Sequence, residues 1–435
     1  MSGRKLVGAP ILLQDWDSEA EEGAAKYWEL FLDLLMVAAA SAVADGLKED
    51  PTLLGVRDFL ILILLFINGS TLYTHMTTRF EDGTFIHIMI LFLYIFGFAT
   101  CIVNASIAEN PTALAAGALL QRFSISLMTS SVYISIPRAR KFCRVFAGNL
   151  VIQLIILTLV IFFNDHAVPL LSLSALIELF LESILSILMK REETIPINIE
   201  HSKDRFGILL LVMLGETVIS ATIEHRRIVE SAETLDFAVE YYWVLFWALV
   251  LVFFYTLLFF AITPPPAYHA FRRSRAHGVS LMVVHKLLCA SVLAVGVCVK
   301  LTIESIVKQK DLSDFTINLM SISVGCSFTL LVAMRMLHFL GVFPTGKEPP
   351  DALRLMYTWW VVIGVAALLP FLGLLFRVQD PVSSIAMYAG LLFGVCLVES
   401  TFTHILEPYL IPDARIAELL RLNSEVAEVS YQSTA

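Results

Sequence analysis

Long hydrophobic runs separated by short polar segments dominate the pattern of this chain. About twelve runs have roughly 19 to 27 residues each, the length that a helix needs to cross about 30 Å of hydrocarbon. Because backbone groups cannot stay unpaired in lipid, each run is predicted to be an α-helix. The runs cover approximately 27–47, 56–78, 84–108, 112–136, 142–163, 167–190, 204–222, 239–261, 278–306, 315–341, 352–376 and 382–406. The pattern therefore predicts an all-α, polytopic transmembrane helix bundle of about 12 helices.

The composition agrees with a chain that is embedded in a membrane along its length. Of its 435 residues, 57% are hydrophobic and 16% are charged, whereas soluble domains carry about 25% charged residues. Cytoplasmic loops of membrane proteins are enriched in lysine and arginine. With the N-terminus inside, the cytoplasmic segments hold 19 of these residues and the external loops hold 7, so both termini are predicted to be cytoplasmic.

The expected organisation has four parts. Residues 1–26 form an acidic cytoplasmic tail without the apolar core of a removable signal peptide. Residues 27–222 form transmembrane helices one to seven, residues 239–411 form helices eight to twelve, and residues 412–435 form a cytoplasmic C-terminal tail. The plasma membrane is the expected location, with an organelle membrane as the alternative.

Charge and small-residue patterns bear on partners. The net charge of −9 argues against nucleic acid, and the lipid bilayer is the expected partner. A small ion or a small molecule is the expected substrate class. Gly390 and Gly394 form a GxxxG motif, which indicates close helix approach, either within the bundle or across a homodimer.

The sequence indicates no metal site, and it leaves any cofactor unknown. All six cysteines fall in apolar runs and none forms a CxxC pair, which favours an interpretation as small core residues. There is no HExxH motif and no P-loop, and the histidines do not cluster with carboxylates at metal-binding spacing.

Carboxylates inside the apolar runs are the main functional candidates, because a charge in hydrocarbon is costly and needs a partner or a task. Glu216 lies two thirds of the way along the seventh run. Glu178 and Glu182 are four residues apart near the middle of the sixth helix and share one face. One of these two is therefore expected to be protonated or paired with a cation. The alternative is a glutamate that is hydrogen-bonded in the core without turnover.

Arg122 lies near the middle of the fourth helix. Its guanidinium stays charged, so a carboxylate partner is nearly obligatory. Glu178 and Glu216 have compatible depths, and one of them is predicted to pair with Arg122. Both a static structural pair and a moving pair remain open.

Further candidates lie nearer the helix ends. Glu29 and Asp33 share a face of the first helix, where they either belong to a site or reach back to interfacial water. His75 and Arg79 share a polar face of the second helix, which either borders a water-filled cavity or packs through hydrogen bonds.

The second half of the chain offers weaker candidates. His285 on the ninth helix and Glu399 on the twelfth are each isolated ionisable residues, and a lone buried histidine is more often structural than functional. Lys300 and Glu304, four residues apart at the outer end of the ninth helix, are expected to pair with each other.

Three stretches carry a resemblance to a known family. They are the W-E-L-F-L-D-L segment that begins at Trp28, the polar end of the second helix through Arg79, Phe80 and Asp82, and the segment from His201-Ser202-Lys203-Asp204-Arg205-Phe206-Gly207 to Leu214-Gly215-Glu216-Thr217. Together they resemble the bacterial low-temperature-requirement A (LtrA) family of integral membrane proteins. Asp204 replaces the glutamate that is usual before the arginine, and the tryptophans common near Asn68 are absent.

The resemblance implies a polytopic membrane protein but supplies no molecular activity. The shared motifs mark positions of interest, namely Glu29, Asp33, Arg79, Arg205 and Glu216.

The first functional hypothesis is a transporter or an ion or proton pathway between helices one, two, four, six and seven. Glu216, Glu178 and Glu182 would carry protons or cations, with Arg122 as the counter-charge and His75 as a relay. One alternative is a membrane-embedded enzyme acting on a lipid, for which the sequence lacks a DDxxD or similar metal motif. The other is a non-catalytic scaffold or sensor, which predicts mutually satisfied buried ion pairs and no connected cavity. Catalysis is the less expected outcome.

Overall fold

The computed structural model describes residues 8–13, 27–189, 193–223, 235–264, 268–338 and 349–406. Twelve long helices are present in this part of the chain. They are α1 (Tyr27–Glu49), α2 (Leu53–Thr77), α3 (Phe85–Val103), α4 (Pro111–Ser135), α5 (Arg140–Phe162), α6 (Ala167–Leu188), α7 (Ile199–Ile223), α8 (Leu235–Ile262), α9 (Arg275–Val307), α10 (Asp314–Leu337), α11 (Pro350–Leu368) and α12 (Pro381–Leu406). The predicted tails, 1–26 and 412–435, lie outside the described residues except for 8–13.

Short elements complete the architecture. Two strands of two residues, β1 (Ile11–Leu12) and β2 (Phe80–Glu81), pair in antiparallel fashion and hold the N-terminal segment against the end of α2. Helical turns Ala270–Arg273 and Gly373–Phe376 flank the later helices. Side-chain oxygens of Thr52, Thr84 and Ser313 accept backbone N–H groups at the starts of α2, α3 and α10, which fixes where these helices begin.

The all-α, multi-pass prediction is confirmed. Ten of the helices in the described residues are long and apolar enough to cross a membrane. The two long helices outside this set are α4 and α6. Helix α4 carries Gln121 and Arg122 in its middle. Both helices pack among the spans, against α2 and α5, and α4 also packs against α3. The count of twelve spans therefore remains a prediction.

Helix α9 is the centre of the bundle. It has 33 residues and is buried along most of its length. It packs against α1, α2, α6, α7, α8, α10 and α12, so its polar residues meet side chains from most of the other helices. This arrangement makes α9 the natural source of partners for carboxylates on α1 and α7.

The closest helix approach that glycine explains is between α3 and α4. A Cβ atom added to Gly97 would lie 2.7 Å from the carbonyl oxygen of Gly117, and one added to Gly117 would lie 2.8 Å from that of Gly97. By contrast, a Cβ atom at Gly390 or Gly394 meets nothing within 4 Å in the described chain. The GxxxG motif therefore mediates no close approach within the described bundle, and the homodimer remains a prediction.

Candidate functional site

Arg122 and Glu178 form a fully buried ion pair between α4 and α6. Arg122 Nη2 lies 2.7 Å from Glu178 Oε2, and Arg122 Nε lies 3.2 Å from Oε1. The two side chains are 0% and 1% exposed. Two parallel N–H···O contacts of this kind are the strong, geometrically specific form of a charge pair. The predicted pairing of Arg122 with one of two glutamates is confirmed, with Glu178 as the partner.

Neighbouring groups satisfy the rest of the Arg122 guanidinium. Its Nη1 donates to Gln121 Oε1 at 2.5 Å, and its Nη2 also donates to the carbonyl oxygen of Leu65 at 3.3 Å. Gly69 makes room for them, because a Cβ atom there would lie 2.8 Å from Gln121 Oε1 and 3.3 Å from Arg122 Nη1. The side chain of Glu182, the second predicted glutamate of α6, lies outside the described residues.

Glu216 on α7 is completely buried, and its partner is Lys300 on α9. Lys300 Nζ lies 2.5 Å from Glu216 Oε1 and 2.8 Å from Asp45 Oδ1 on α1. The Asp45 side chain is 56% exposed, whereas that of Glu216 is 0% exposed. Ser220 Oγ lies 3.1 Å from Glu216 Oε1, and Glu216 Oε2 has no hydrogen-bond partner among the described atoms. One ammonium group thus connects a buried carboxylate with a carboxylate at the surface.

The expected pairing of Lys300 with Glu304 is wrong. Glu304 instead pairs with Lys308 one turn further along α9, at the exposed end of the helix. An exposed pair is worth little, whereas a buried carboxylate without a counter-charge is costly. The lysine therefore reaches inward to Glu216 rather than along its own helix.

A charge pair and a histidine–carboxylate contact join α1 to the start of α7. Arg205 donates from Nη1 and Nη2 to the two carboxylate oxygens of Asp33, each at 2.7 Å. His201 Nε2 lies 3.1 Å from Glu29 Oε1. Glu29 is only 1% exposed. The interpretation of Glu29 as an interfacial carboxylate that reaches back to water is therefore wrong.

The end of α2 is polar because its side chains bond one another. Arg79 Nη1 lies 3.1 Å from His75 Nδ1 and donates to the His75 carbonyl oxygen at 2.9 Å. The guanidinium carbon of Arg79 lies 5.1 Å from the ring centroid of Phe142 on α5. Both Arg79 and His75 are buried, so Arg79 is not a simple interfacial cation.

Lys286 on α9 is a buried cation that the sequence pattern did not assign to the site. Its Nζ donates to Asn68 Oδ1 at 3.0 Å, and Asn68 Nδ2 donates to the carbonyl oxygen of Ala175 on α6 at 3.1 Å. The sequence signal that could have identified Lys286 was its position inside an apolar run, where a charged side chain is costly and needs a partner. The same helix carries both Lys286 and Lys300, so α9 supplies two cations to the interior.

The weaker candidates lie in two different settings. His285 Nε2 lies 3.0 Å from the Phe206 carbonyl oxygen, and the two rings stack at 4.6 Å, which is a packing contact between α7 and α9. Glu399 lies in another part of the bundle, where it pairs with Arg335 of α10 and accepts from Trp359 Nε1 of α11 at 3.2 Å. Neither residue bonds to the other predicted site residues in the part of the chain that is described.

The structure thus gathers most of the predicted residues into pairs along the interface of α1, α2, α4, α6, α7 and α9. Three cavities in the described part of the chain lie beside Arg335, beside Asp82 and beside Asn149, and none of these three is lined by Arg122, Glu178 or Glu216. The described residues also include no group of three or more histidine, cysteine, aspartate or glutamate side chains placed to hold a metal ion. These pairs can hold charge in the membrane interior, and they can exchange protons or cation partners.

Comparison with known proteins gives one match. The family described as "Bacterial low temperature requirement A protein (LtrA)" has a model that matches residues 24–398. This range contains every predicted site residue except Glu399. No curated protein and no solved structure matches the chain.

Proposed function

This chain belongs to the LtrA family and is an integral multi-pass membrane protein, and from that premise we propose that it is a transporter or pathway for protons or small cations. In the proposed arrangement the chain crosses the plasma membrane twelve times with both termini in the cytoplasm. The buried charge pairs between α1, α2, α4, α6, α7 and α9 form the pathway, and α3, α5, α8 and α10–α12 form the rest of the bundle.

The observation that carries the proposal is the chain of contacts from Glu216 through Lys300 to Asp45. A carboxylate that is 0% exposed would be expensive to keep charged without its cation. Its Oε2 oxygen accepts no hydrogen bond from any described atom, so this oxygen can bind a proton or a cation. Asp45, half exposed at the other side of Lys300, gives this acceptor a route to solvent at the outer end of α1.

The inner half of the proposed pathway consists of the pairs near the start of α7. Arg205 and Glu216 lie eleven positions apart on that helix, which corresponds to about 16 Å along its axis. A gap of this length cannot be crossed by one hydrogen bond. The structure therefore corresponds to an occluded state in the proposal, and conduction requires the pairs to exchange partners as helices rearrange.

Arg122 and Glu178 act in the proposal as a fixed, net-neutral ion pair beside that route. Their pair is saturated by Gln121 and the Leu65 carbonyl oxygen, so it has the least freedom to exchange. Two opposite charges held in place at mid-membrane form a fixed dipole, which contributes to the local potential felt by a passing cation.

A scaffold or sensor is the second candidate, and one observation favours it. The described ion pairs satisfy one another, and Glu216 lines none of the three cavities beside Arg335, Asp82 and Asn149. A bundle that only holds its shape would have this appearance. The unpartnered Oε2 of Glu216 and the exposed Asp45 distinguish the pathway proposal from this alternative.

The test is flux into liposomes that contain the purified protein. Proton entry and cation entry are measured for the wild type, Glu216→Gln and Glu178→Gln, with Glu304→Gln as a matched control on an exposed pair. The proposal expects flux above empty liposomes for the wild type and control, and its loss in Glu216→Gln. Flux at the empty-liposome level in all four preparations would favour the scaffold.

A further inference from the structure

A cavity of about 410 Å³ lies where the ends of α2 and α4 meet the starts of α1 and α3, and Thr77 in its wall also hydrogen-bonds Glu29. This volume is within the range of small-molecule sites in proteins, about 300–1,000 Å³. The N-terminal segment closes one side of it, because Pro10 lines the cavity and β1 pairs with β2 beside it. A space of this size is kept open by the fold at a point where helix ends and a two-stranded sheet converge.

The wall of the cavity has an apolar part and an acidic part. Apolar side chains form its inner part, among them Met76, Ile88, Leu91, Met128 and Val132. Glu81, Asp82 and Gly83 form its outer part, where the two carboxylates are partly exposed and the glycine is exposed. The cavity therefore presents an apolar interior behind an acidic mouth.

Three aromatic side chains also belong to the wall of the cavity. Trp28, Tyr73 and Phe80 all line the cavity, and Trp28 is 44% exposed. Aromatic rings beside carboxylates are the side chains that recognise organic ammonium groups, through cation–π contacts and charge. The residues described around the cavity include no lysine or arginine, and the histidine in its wall, His87, faces the carboxylate of Asp82.

The acidic mouth is held in place by its own hydrogen bonds. Asp82 Oδ1 accepts from the backbone N–H of Thr84 at 2.9 Å, at the start of α3. Its Oδ2 lies 3.8 Å from His87 Nδ1, which is longer than a hydrogen bond. One oxygen of Asp82 thus fixes the side chain, and an ammonium group in the cavity would compete with His87 for the other.

We propose that this cavity binds a small amphipathic organic cation, with its ammonium group between Glu81, Asp82 and the aromatic side chains and its apolar body against Met128 and Val132. Arg122, Glu178 and Glu216 do not line this cavity, and its occupancy does not depend on transport. The ammonium group could belong to a free amine or to a zwitterionic lipid headgroup. The lack of a lysine or arginine in the described wall assigns it to a free cation, because a headgroup phosphate would find two carboxylates and a histidine that already faces one of them.

The test uses full-length purified protein in nanodiscs and benzyltrimethylammonium as the probe. Neopentylbenzene is its neutral isostere, and phosphocholine carries the same ammonium group together with a phosphate. We expect saturable binding of benzyltrimethylammonium at one site per chain, with the isostere and phosphocholine each weaker by at least roughly tenfold. Equal binding of the isostere would overturn the role of charge, and equal or tighter binding of phosphocholine would overturn the assignment to a free cation.

Variants tie the binding to this cavity. Glu81→Gln combined with Asp82→Asn keeps the shape and the Asp82 acceptor for Thr84, and is expected to weaken binding at least roughly tenfold. Val132→Phe fills the apolar part and is expected to abolish binding, while Glu304→Gln removes a distant carboxylate and is expected to leave it within about twofold. Elution as a single symmetric peak checks that each variant folds. Unchanged affinity in both cavity variants, in folded protein, would place the probe elsewhere and refute the proposal.

Discussion

Lys300 Nζ contacts both Glu216 Oε1, at 2.5 Å, and Asp45 Oδ1, at 2.8 Å, so one side chain of α9 connects the interior of α7 to the C-terminal end of α1. The two carboxylates differ sharply in exposure, at 0% and 56%. The buried one needs the ammonium group for stability, whereas the exposed one has water as a substitute. The two contacts are therefore not equivalent. Lys300 can release Asp45 at little cost, whereas release of Glu216 would leave a buried charge unpaired.

Loss of the ammonium group should destabilise the protein. We expect Lys300→Met to lower the free energy of unfolding by about 3–5 kcal/mol, because it leaves Glu216 buried without a counter-charge. The double variant Lys300→Met/Glu216→Leu should recover most of this loss, since no uncompensated charge remains. Thermal unfolding in detergent measures both. Lys308→Met, which breaks an exposed pair, serves as the control and should change stability by less than about 1 kcal/mol.

The Asp33–Arg205 pair should be exchangeable. Asp33→Ala and Arg205→Ala are each expected to destabilise the α1–α7 interface, because either change leaves one largely buried charge unpaired. The exchanged pair Asp33→Arg/Arg205→Asp should be more stable than either single charge-reversal variant. A double-mutant cycle on thermal stability measures the coupling energy, which we expect to exceed about 1.5 kcal/mol. A coupling energy near zero would show that the two side chains do not meet in the membrane.

Two glycine substitutions should have opposite effects. Gly97→Ala places a Cβ atom 2.7 Å from the Gly117 carbonyl oxygen, so α3 and α4 must separate, at a cost of about 1–3 kcal/mol. Gly394→Ala meets nothing within 4 Å in the described chain and should be neutral or stabilising by up to about 1 kcal/mol. Melting temperatures of the two variants are compared in the same detergent. If Gly394→Ala proves the more damaging, the GxxxG face is in contact with a second copy of the chain.

Acid should destabilise the junction between α8, α9 and α10. His269 and His338 lie outside the membrane-spanning segments with their rings 4.8 Å apart, and His338 Nδ1 accepts the backbone N–H of Ala270 at 3.1 Å. Burial lowers the pKa of His269 to about 4, and burial together with the neighbouring His269 lowers the pKa of His338 to about 3, both from 6.5. Both imidazoles are therefore neutral in the folded protein at neutral pH.

The direction of the pH effect follows from these lowered pKa values. As the pH falls below 6.5, the unfolded chain takes up protons at these histidines before the folded protein does. Stability should thus be full above this pH and decline between 6.5 and about 3. Melting temperature is measured across this range for the wild type and His269→Asn/His338→Asn, which should show a shallower decline. His166→Asn, at an exposed histidine, should follow the wild type.

Much of the fold could be predicted because an apolar segment in lipid has few alternatives to the α-helix. Apolar runs of the right length can only be helices, so the twelve predicted runs overlap the twelve long helices of the described chain. Helix α4 shows the limit of this argument. Its run includes Gln121 and Arg122, which pack inside the protein, so composition alone does not mark it as a span.

The pairing of Arg122 with Glu178 could be predicted because the depth of each residue along its helix was enough to identify its partner. Arg122 and Glu178 both lie near the middle of their helices, and few other charges occur at that level. Lys300 was assigned wrongly because the four-residue rule describes neighbours on one helix surface and carries no information about the facing helix. The contact between Lys286 and Asn68 was missed for the same reason, since it joins residues 218 positions apart in sequence.

The central claim is that the Glu216 carboxylate changes its proton or cation partner in response to the outer solution. Infrared difference spectra of the protein in liposomes, recorded as the external pH is lowered, test it most directly, because the C=O stretch of a protonated carboxylic acid is separate from that of a carboxylate. We predict a carboxylic-acid band that rises on acidification in the wild type and in Glu304→Gln, and that is missing in Glu216→Gln. Identical difference spectra in all three proteins would contradict the account.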